Sequence, residues 1–295
     1  MTSIAFIVPG IMGAPMIKNL VSSGHNVRAF GRSQTSRNRI TAAGAIPASS
    51  PRAAAAAADV VITMLPDTPD VERVVVSGAD PLIDALTPDQ TYIDMSTIRP
   101  DVTRKINAAL AERGVGMLDA PVSGGEAGAI EGTLSIMVGG SARVLDPVRP
   151  VLACMGSTIT HVGPAGAGQL TKAANQLVVA ANIQAAAEAV VLLESAGADV
   201  AAALDAIGGG LGGSTVLDRK RAAFLRDAFD PGFRIELHHK DLRIVRDTAD
   251  ATEIGLPLTG TVSQVMLAAM AKGYGQLDHS ALLKVVRDLN RSSDK

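Results

Sequence analysis

The sequence predicts an α/β fold, in which a doubly wound parallel sheet is followed by a long linking helix and an all-α C-terminal domain. Three observations support this prediction. Short β-branched runs alternate with alanine-rich runs up to about residue 163, a long segment without proline follows, and strand-like runs then stop. The 295 residues are enough for two domains of about 150 residues each. We place one domain at residues 1–163 and a second, including the linking helix, at residues 164–295.

Six strands are predicted in the first domain, at residues 4–8, 26–30, 60–64, 91–94, 116–119 and 135–138. Alanine-rich segments between them favour helix. One such segment, at residues 53–58, follows Pro51, and proline suits a helix N-terminus. Strands that alternate with helices form parallel pairs, because each helix carries the chain back across the sheet.

One long helix is predicted next, from about residue 165 to residue 195, where Ala196-Gly197 would end it. At about 1.5 Å per residue it would be about 45 Å long, enough to bridge two domains. Further helical patterns occur around a glycine-rich break at residues 208–213, at residues 199–207, 214–229, 236–253 and 257–272.

Composition argues against a nucleic-acid partner. The formal net charge is −2, so there is no excess of positive charge to bind a phosphate backbone. With two Tyr, five Phe and no Trp, the chain has little material for base-stacking platforms.

The sequence predicts a cytoplasmic protein without a membrane span. Its one cysteine, Cys154, has no partner for an internal disulfide, which fits a reducing compartment. The N-terminal apolar run lacks a preceding basic region and stops at Pro9, unlike a secretory leader. The most apolar long stretch, at residues 173–193, is interrupted by five polar residues: Asn175, Gln176, Asn182, Gln184 and Glu188.

A phosphate-binding turn is predicted after the first strand. It comprises Pro9, Gly10, Ile11, Met12 and Gly13. In a Rossmann-type sheet such a turn holds a dinucleotide pyrophosphate on backbone N–H groups at the positive end of a helix. Gly10 would let the phosphates approach the backbone, and Gly13 would let the helix pack closely. An ordinary glycine-containing turn is the alternative.

One position of this turn departs from the usual glycine fingerprint, because Val8 occupies the place of its first glycine. Pro9 lacks an N–H and disfavours helical backbone in the residue before it. We therefore expect an extended Val8, a wider turn and weaker cofactor binding.

The end of the second strand indicates NADP(H) as the preferred cofactor. An NAD-selecting carboxylate is expected there, but no Asp or Glu precedes Asp59. Arg32 and Ser33, with Arg37 close in sequence, would instead bind a 2′-phosphate. NAD(H) stays open as a second cofactor, and the competing explanation is that the arginines only solvate a surface helix.

Two further features suit a reductase. Lys172 and Asn175 would share one face of the linking helix, and an ammonium beside a carbonyl can protonate its oxygen as hydride arrives. Ser123, Gly124 and Gly125 follow a strand, where their hydroxyl and N–H groups would bind a substrate carboxylate. The alternatives are a solvated surface lysine and an ordinary turn with a helix cap. The five histidines lack paired ligand spacing, so no metal site is predicted.

Four motifs in order resemble the β-hydroxyacid dehydrogenase family over almost the whole chain. They are FIVPGIMGAPMIKNL at residues 6–20, DAPVSGG at 119–125, GPAGAGQLTKAANQ at 163–176 and HKDL at 239–242. Within the family, the segments at residues 132–140, 209–218 and 229–242 look most like those of tartronate semialdehyde reductases.

The resemblance implies a Rossmann domain, a connecting helix and a helical domain that mediates homodimer or homotetramer formation. It assigns Lys172 as the catalytic acid, Asn175 as a substrate contact, and Ser123, Gly124 and Gly125 as carboxylate binders. It also implies that the cofactor is lined by Leu65, Pro66, Thr97 and Lys240, with Asp241 orienting Lys240. An exposed Lys–Asp ion pair of little energetic worth is the alternative for the last two residues.

The expected reaction is hydride transfer between NADP(H) and a small hydroxy acid or semialdehyde, with tartronate semialdehyde to glycerate as the favoured reduction. Within the same scaffold, 3-hydroxyisobutyrate dehydrogenase, L-threonate dehydrogenase and imine reductase remain alternatives, although Lys172 argues against the last. A non-catalytic NADP-binding sensor is the alternative from a different class.

Overall fold

The computed structural model describes residues 1–290. By compactness the chain divides into two units, residues 1–172 and residues 173 onward. The first is an α/β unit and the second is helical, so the predicted fold class is confirmed. The predicted domain boundary between residues 163 and 164 remains a prediction, because the division falls inside one continuous helix.

The first unit is built on one nine-stranded sheet. Its strands are β1 (Ser3–Ile7), β2 (Asn26–Phe30), β3 (Ile46–Pro47), β4 (Val60–Thr63), β5 (Thr91–Asp94), β6 (Gly116–Asp119), β7 (Val122–Ser123), β8 (Ser135–Gly140) and β9 (Thr158–Gly163). The strand order is β3-β2-β1-β4-β5-β6-β8-β7, with β9 also paired to β8. Strands β1 to β6 form parallel pairs throughout this order.

Seven α-helices belong wholly to this unit: α1 (Gly13–Ser22), α2 (Gln34–Ala42), α3 (Pro51–Ala55), α4 (Thr68–Glu72), α5 (Pro100–Ala111), α6 (Gly125–Glu131) and α7 (Ala142–Ala153). All four residues of β4 are buried, as expected for a central strand covered on both faces. Two apolar clusters lie on the two faces: Phe6 and Ile62 belong to one, and Ile7 and Tyr92 to the other.

The sheet is predominantly parallel, as predicted, and becomes mixed beyond β6. Strand β8 runs antiparallel to β6, with Leu118 opposite Gly140. The seven residues of α6 span only about 10 Å, whereas β8 needs about 20 Å of return path for a parallel crossover. The chain therefore reverses direction after β7. Three strands were not predicted: the short strands β3 and β7, and the edge strand β9, none of whose residues is buried.

The second unit is helical and has its own apolar core, which includes Ile183, Phe224, Leu242 and Met266. Its helices after α8 (Ala167–Ser195), which begins in the first unit, are α9 (Val200–Gly208), α10 (Thr215–Arg226), α11 (Ile235–Ala251), α12 (Pro257–Ala271) and α13 (Leu282–Asn290). The four predicted helical patterns correspond to α9–α12, whereas α13 was not predicted. Within residues 1–290, no strand of the sheet lies beyond Gly163.

Helix α8 is long and apolar enough to cross a membrane by length and composition alone, with a mean hydropathy of 1.6 over 18 residues. Two of its buried amides, Gln169 and Gln176, donate hydrogen bonds to protein groups, and a third, Gln184, donates to Glu188 while its Oε1 has no partner within the described residues. Buried polar side chains that are mostly hydrogen-bonded to protein groups are typical of a core helix. The cytoplasmic location stays a prediction.

Candidate active site

Apart from Lys240, which lies on α11, the residues predicted to bind the cofactor follow the carboxyl ends of the sheet strands. Gly10 follows β1, Arg32 follows β2, Leu65 follows β4 and Thr97 follows β5. These strands are parallel, so their carboxyl ends meet, and the strand order reverses between β1 and β4. Ligands of open α/β sheets bind outside such ends, at the reversal point.

The backbone at Val8 differs from the expectation. Its φ is +61°, in the left-handed region that β-branched residues rarely adopt, so the expectation of an extended Val8 is wrong. The Val8 N–H donates to the Phe30 carbonyl at 2.7 Å, and this bond to β2 holds the backbone in place. Val8 therefore adopts a conformation suited to the glycine it replaces, against the local preference that Pro9 imposes.

The two glycines of the turn fit a nucleotide. A Cβ on Gly13 would lie 2.9 Å from Cε1 of Phe6, so α1 crosses β1 this closely only because position 13 has no side chain. A Cβ on Gly10 would meet nothing within 4 Å. The open space beside Gly10 is where a pyrophosphate would approach the backbone, next to the N-terminus of α1.

The turn after β2 presents two exposed polar residues, Arg32 and Ser33, at the start of α2. Ser33 Oγ accepts the Ser36 N–H at 3.1 Å and caps the helix. Ser36 Oγ in turn donates to the Pro9 carbonyl at 3.2 Å, which ties this turn to the glycine turn. The cap uses Ser33 as an acceptor, so its hydroxyl proton can still be donated to a phosphate oxygen.

The Arg37 side chain is held by bonds to its own helix and to the turn before it. Its Nη1 donates to the Arg32 carbonyl at 3.2 Å, and its Nη2 donates to Gln34 Oε1 at 3.1 Å. Of the two arginines, Arg32 is therefore the better candidate for a phosphate.

A buried polar cluster fixes the loops after β4 and β5. Asp94 Oδ1 accepts from Thr63 Oγ1 at 2.9 Å and from the Ser96 N–H at 3.1 Å. Ser96 Oγ accepts the Leu65 N–H at 2.9 Å, so the loop that carries Thr97 also holds Leu65. Burial raises the pKa of Asp94 to about 6, although its hydrogen bonds to Ser96 and Thr63 oppose that shift.

The start of α8 is held by Asp119, the last residue of β6. Its Oδ1 accepts the Gly166 N–H at 2.8 Å and its Oδ2 accepts the Gln169 N–H at 2.9 Å. Glycine is required for this close approach, because a Cβ on Gly139 would lie 2.5 Å from Asp119 Oδ1 and one on Gly168 would lie 2.6 Å from the Asp119 carbonyl. Burial raises the pKa of Asp119, and the backbone N–H donors oppose that shift.

Lys172 lies on this anchored helix, one turn after Gln169. It is only 7% exposed, so it is not the solvated surface lysine that was the alternative. Asn175 follows three residues later on α8.

The Ser-Gly-Gly segment spans the end of β7 and the start of α6. Gly124 has a φ of +142° and Gly125 a φ of +65°, both unfavourable for residues with a side chain. A Cβ on Gly125 would meet nothing within 4 Å. Ser123 is partly exposed beside this open backbone.

In the second unit, Asn175 and Lys240 belong to one hydrogen-bonded chain. Asn175 Nδ2 donates to Gln176 Oε1 at 2.9 Å, and Gln176 Nε2 donates to Asp241 Oδ2 at 2.5 Å. Lys240 Nζ lies 2.8 Å from Asp241 Oδ1. The Lys240 and Asp241 side chains are 11% and 3% exposed, so the pair is not the exposed ion pair that was the alternative.

Six residues of these networks were missed as functional candidates: Thr63, Asp94, Ser96, Asp119, Gln169 and Gln176. Asp119 is the first letter of the DAPVSGG motif, and both glutamines fall within the GPAGAGQLTKAANQ motif. Membership of these motifs could have singled out Asp119, Gln169 and Gln176. The hydrogen-bond partners of these residues could not be deduced from one sequence.

Comparison with known proteins places this architecture in a family. Residues 3–163 match the model of the NAD-binding domain of 6-phosphogluconate dehydrogenase, and residues 166–286 match that of the NAD-binding region of NADP-dependent 3-hydroxyisobutyrate dehydrogenase. The chain is 40% identical to the 2-hydroxy-3-oxopropionate reductase of Escherichia coli, with 96% of each chain covered. The chain belongs to the β-hydroxyacid dehydrogenase family. The predicted resemblance is confirmed, and the protein is an NAD(P)-binding oxidoreductase that acts on the CH–OH group of hydroxy acids.

Other members of the β-hydroxyacid dehydrogenase family differ in substrate and cofactor. The NAD-dependent L-serine dehydrogenase of Pseudomonas aeruginosa is 38% identical, covering 97% of this chain and 98% of that one. The solved structure of Mycobacterium tuberculosis 3-hydroxyisobutyrate dehydrogenase with L-serine is 38% identical, with a TM-score of 0.88, and covers 99% of this chain and all of that one. Substrate and cofactor choice therefore vary within the family.

Proposed function

We propose that the protein reduces a small semialdehyde acid with NADPH, with tartronate semialdehyde to glycerate as the favoured reaction. The observation that carries the proposal is Lys172, buried on a helix whose start is anchored by Asp119 at the carboxyl edge of the sheet. Catalytic groups of open α/β sheets gather at that edge. The 40% identity to an E. coli protein named for this reaction supports the choice of substrate.

Lys172 is proposed as the general acid. Its ammonium would donate a proton from Nζ to the carbonyl oxygen of the substrate as hydride arrives at the carbon, so that a neutral hydroxyl forms instead of an alkoxide. Asn175 would hold the same oxygen through its side-chain amide. Ser123, Gly124 and Gly125 would bind the substrate carboxylate through a hydroxyl and two N–H groups, which orients the carbonyl toward Lys172.

All but one of the residues proposed to hold the cofactor lie at the carboxyl ends of the strands, and the exception, Lys240, lies on α11. Bound NADPH supplies the hydride. The pyrophosphate would lie on the turn formed by Pro9, Gly10, Ile11, Met12 and Gly13, where Gly10 leaves open space. Arg32 and Ser33 would bind the 2′-phosphate, and Leu65, Pro66, Thr97 and Lys240 would line the remainder.

A second candidate is oxidation of L-serine or 3-hydroxyisobutyrate, since relatives with 38% identity carry those names. A non-catalytic NADP-binding sensor is the candidate of a different class. The buried Lys172 favours an enzyme, because a sensor needs no proton donor and burial of a lysine is costly.

A substrate panel decides among these candidates. NADPH and NADH oxidation would be measured with tartronate semialdehyde, methylmalonate semialdehyde and succinate semialdehyde, and NADP⁺ and NAD⁺ reduction with L-serine, L-threonate and 3-hydroxyisobutyrate. We expect the highest kcat/KM with tartronate semialdehyde and NADPH, and a loss of at least about 100-fold in kcat for Lys172→Met. Binding of NADPH without turnover of any substrate would favour the sensor, and normal turnover by Lys172→Met would overturn the role of the lysine.

The assembly proposed for this function is a homodimer or homotetramer formed through the helical unit. Multi-angle light scattering of the full chain tests it, and a monomer at micromolar concentration would overturn it.

A further inference from the structure

A buried glutamine on α8, Gln169, is bonded to the loop after β5. The residue is 1% exposed. Its Nε2 donates to the Ser96 carbonyl at 2.7 Å, and its Oε1 accepts the Ile98 N–H at 3.0 Å. The amide therefore uses both its donor and its acceptor on the backbone of a three-residue segment.

Thr97, a residue proposed to line the cofactor, lies between these two bonds. The same segment holds the other cofactor-lining loop, because Ser96 Oγ accepts the Leu65 N–H at 2.9 Å. Gln169 is itself anchored, since its N–H donates to Asp119 Oδ2 at 2.9 Å. One side chain thus joins the base of α8 to both loops.

Lys172 follows Gln169 by three residues, which puts the two side chains on the same face of α8. We infer that Gln169 is a positioning residue, whose amide sets the separation between Lys172 and the loops that hold the cofactor. This inference rests on the proposed function for the identity of Lys172 as the acid. Displacement of reacting groups by about 1 Å is enough to lower turnover by about 100-fold.

The bonding pattern of Gln169 makes a specific substitution informative. A protonated glutamate at this position could still donate to the Ser96 carbonyl and accept from the Ile98 N–H, whereas an ionised one would face the carbonyl with negative charge. Burial favours the neutral form of a carboxyl. Gln169→Glu should therefore regain cofactor binding and turnover as the pH falls.

Gln90 provides a matched control in the same unit. It is 6% exposed, its Nε2 donates to the Ala55 and Ala58 carbonyls at 2.8 and 2.7 Å, and its Oε1 accepts the Thr87 N–H at 3.0 Å. These bonds involve none of the proposed site residues. Its variants lose the same kind of buried amide bonds without touching the cofactor loops.

The experiment compares Gln169→Glu, Gln169→Leu, Gln90→Glu and Gln90→Leu in the full-length chain. Melting temperature, NADPH dissociation constant by fluorescence, and kcat and KM with the best substrate of the panel would be measured from pH 5.5 to 8.5. We expect Gln169→Leu to lose at least about tenfold in kcat and several-fold in NADPH affinity, and Gln169→Glu to recover both toward low pH. The Gln90 variants should lower the melting temperature with kcat within about twofold of wild type.

Equal effects of the Gln169 and Gln90 variants on NADPH binding and kcat at every pH would overturn the inference. If Gln169→Leu does not fold, the comparison of the two glutamate variants decides alone. Lys172→Met in the same assays separates the two proposals. If Lys172→Met is inactive while the Gln169 variants behave like the Gln90 variants, the positioning role of Gln169 is wrong and the acid role of Lys172 stands. If Lys172→Met is fully active, the acid role of Lys172 is wrong, whatever the Gln169 variants show.

Discussion

Asp94 and Asp119 lie opposite each other in register on the adjacent strands β5 and β6, and both carboxyl groups are buried. Asp119 accepts the N–H groups at the start of α8, whereas Asp94 Oδ2 has no hydrogen-bond partner within the described residues. Burial is the largest cause that raises the pKa of Asp94, and the charge of Asp119 raises it further. Ionisation of Asp94 is therefore disfavoured in the folded protein.

The raised pKa of Asp94 predicts how the free energy of unfolding changes with pH. Its folded pKa of about 6 lies above the ordinary value of 3.8, so the native state binds more protons than the unfolded state between these values. The free energy of unfolding should fall as pH rises from about 4 to about 6, by up to about 3 kcal/mol from this group. Asp94→Asn should remove that part of the slope in urea unfolding curves. The exposed Asp146→Asn is the control, and an unchanged slope in Asp94→Asn would contradict the prediction.

Asp119 gives a prediction about the anchor of α8. An asparagine there keeps one acceptor but turns an N–H₂ group toward a backbone N–H, so a buried donor is left without a partner. Asp119→Asn should lower the free energy of unfolding by about 1–3 kcal/mol and also lower kcat, because Lys172 lies on the loosened helix. Urea unfolding and steady-state kinetics check this. Unfolding within about 0.5 kcal/mol of wild type would show that the carboxylate is not needed.

The left-handed backbone at Val8 predicts that glycine stabilises this position more than alanine does, the reverse of the usual order. At a φ of +61°, alanine is disfavoured relative to glycine by about 1–2 kcal/mol, so Val8→Gly should be more stable than Val8→Ala by about 1 kcal/mol. At Val27, a buried residue of strand β2, the order should be the usual one, with alanine more stable than glycine. Chemical denaturation of the four variants tests the sign. The usual order at both sites would rule out the strained turn.

If Arg32 binds the 2′-phosphate, its replacement should weaken the binding of NADPH but not that of NADH. Removing a charge-assisted contact to the 2′-phosphate should weaken NADPH binding by about 1.5–3 kcal/mol in Arg32→Ala, while NADH binding changes little. Fluorescence titration with both cofactors measures this. Arg39→Ala, an exposed arginine later on α2, is the matched control. Equal losses for the two cofactors would remove Arg32 from the phosphate site.

Much of the α/β unit was predictable because strand and turn signals are local. The strands at residues 26–30, 91–94 and 116–119 have the predicted bounds, and Gly13 has the steric role that its spacing predicted. The direction of β8 was not predictable, because it depends on whether α6 is long enough to return the chain. Helix α13 was missed, although its buried Leu282, Leu283, Val285 and Val286 form part of the core of its unit.

Sequence alone determined the glycine turn, the missing acid at the end of β2 and the ordered motifs of the family, because each depends on residues close together in the chain. Only the tertiary structure decided that Lys172 is buried, that Asp119 accepts the Gly166 N–H 47 residues later, just before α8, and that Gln169 bonds to a loop 73 residues away. Such contacts form between segments brought together by sheet pairing and core packing, and their partners are not encoded by neighbouring residues. The identity of the residues set the available chemistry, and the fold set which of them can act together.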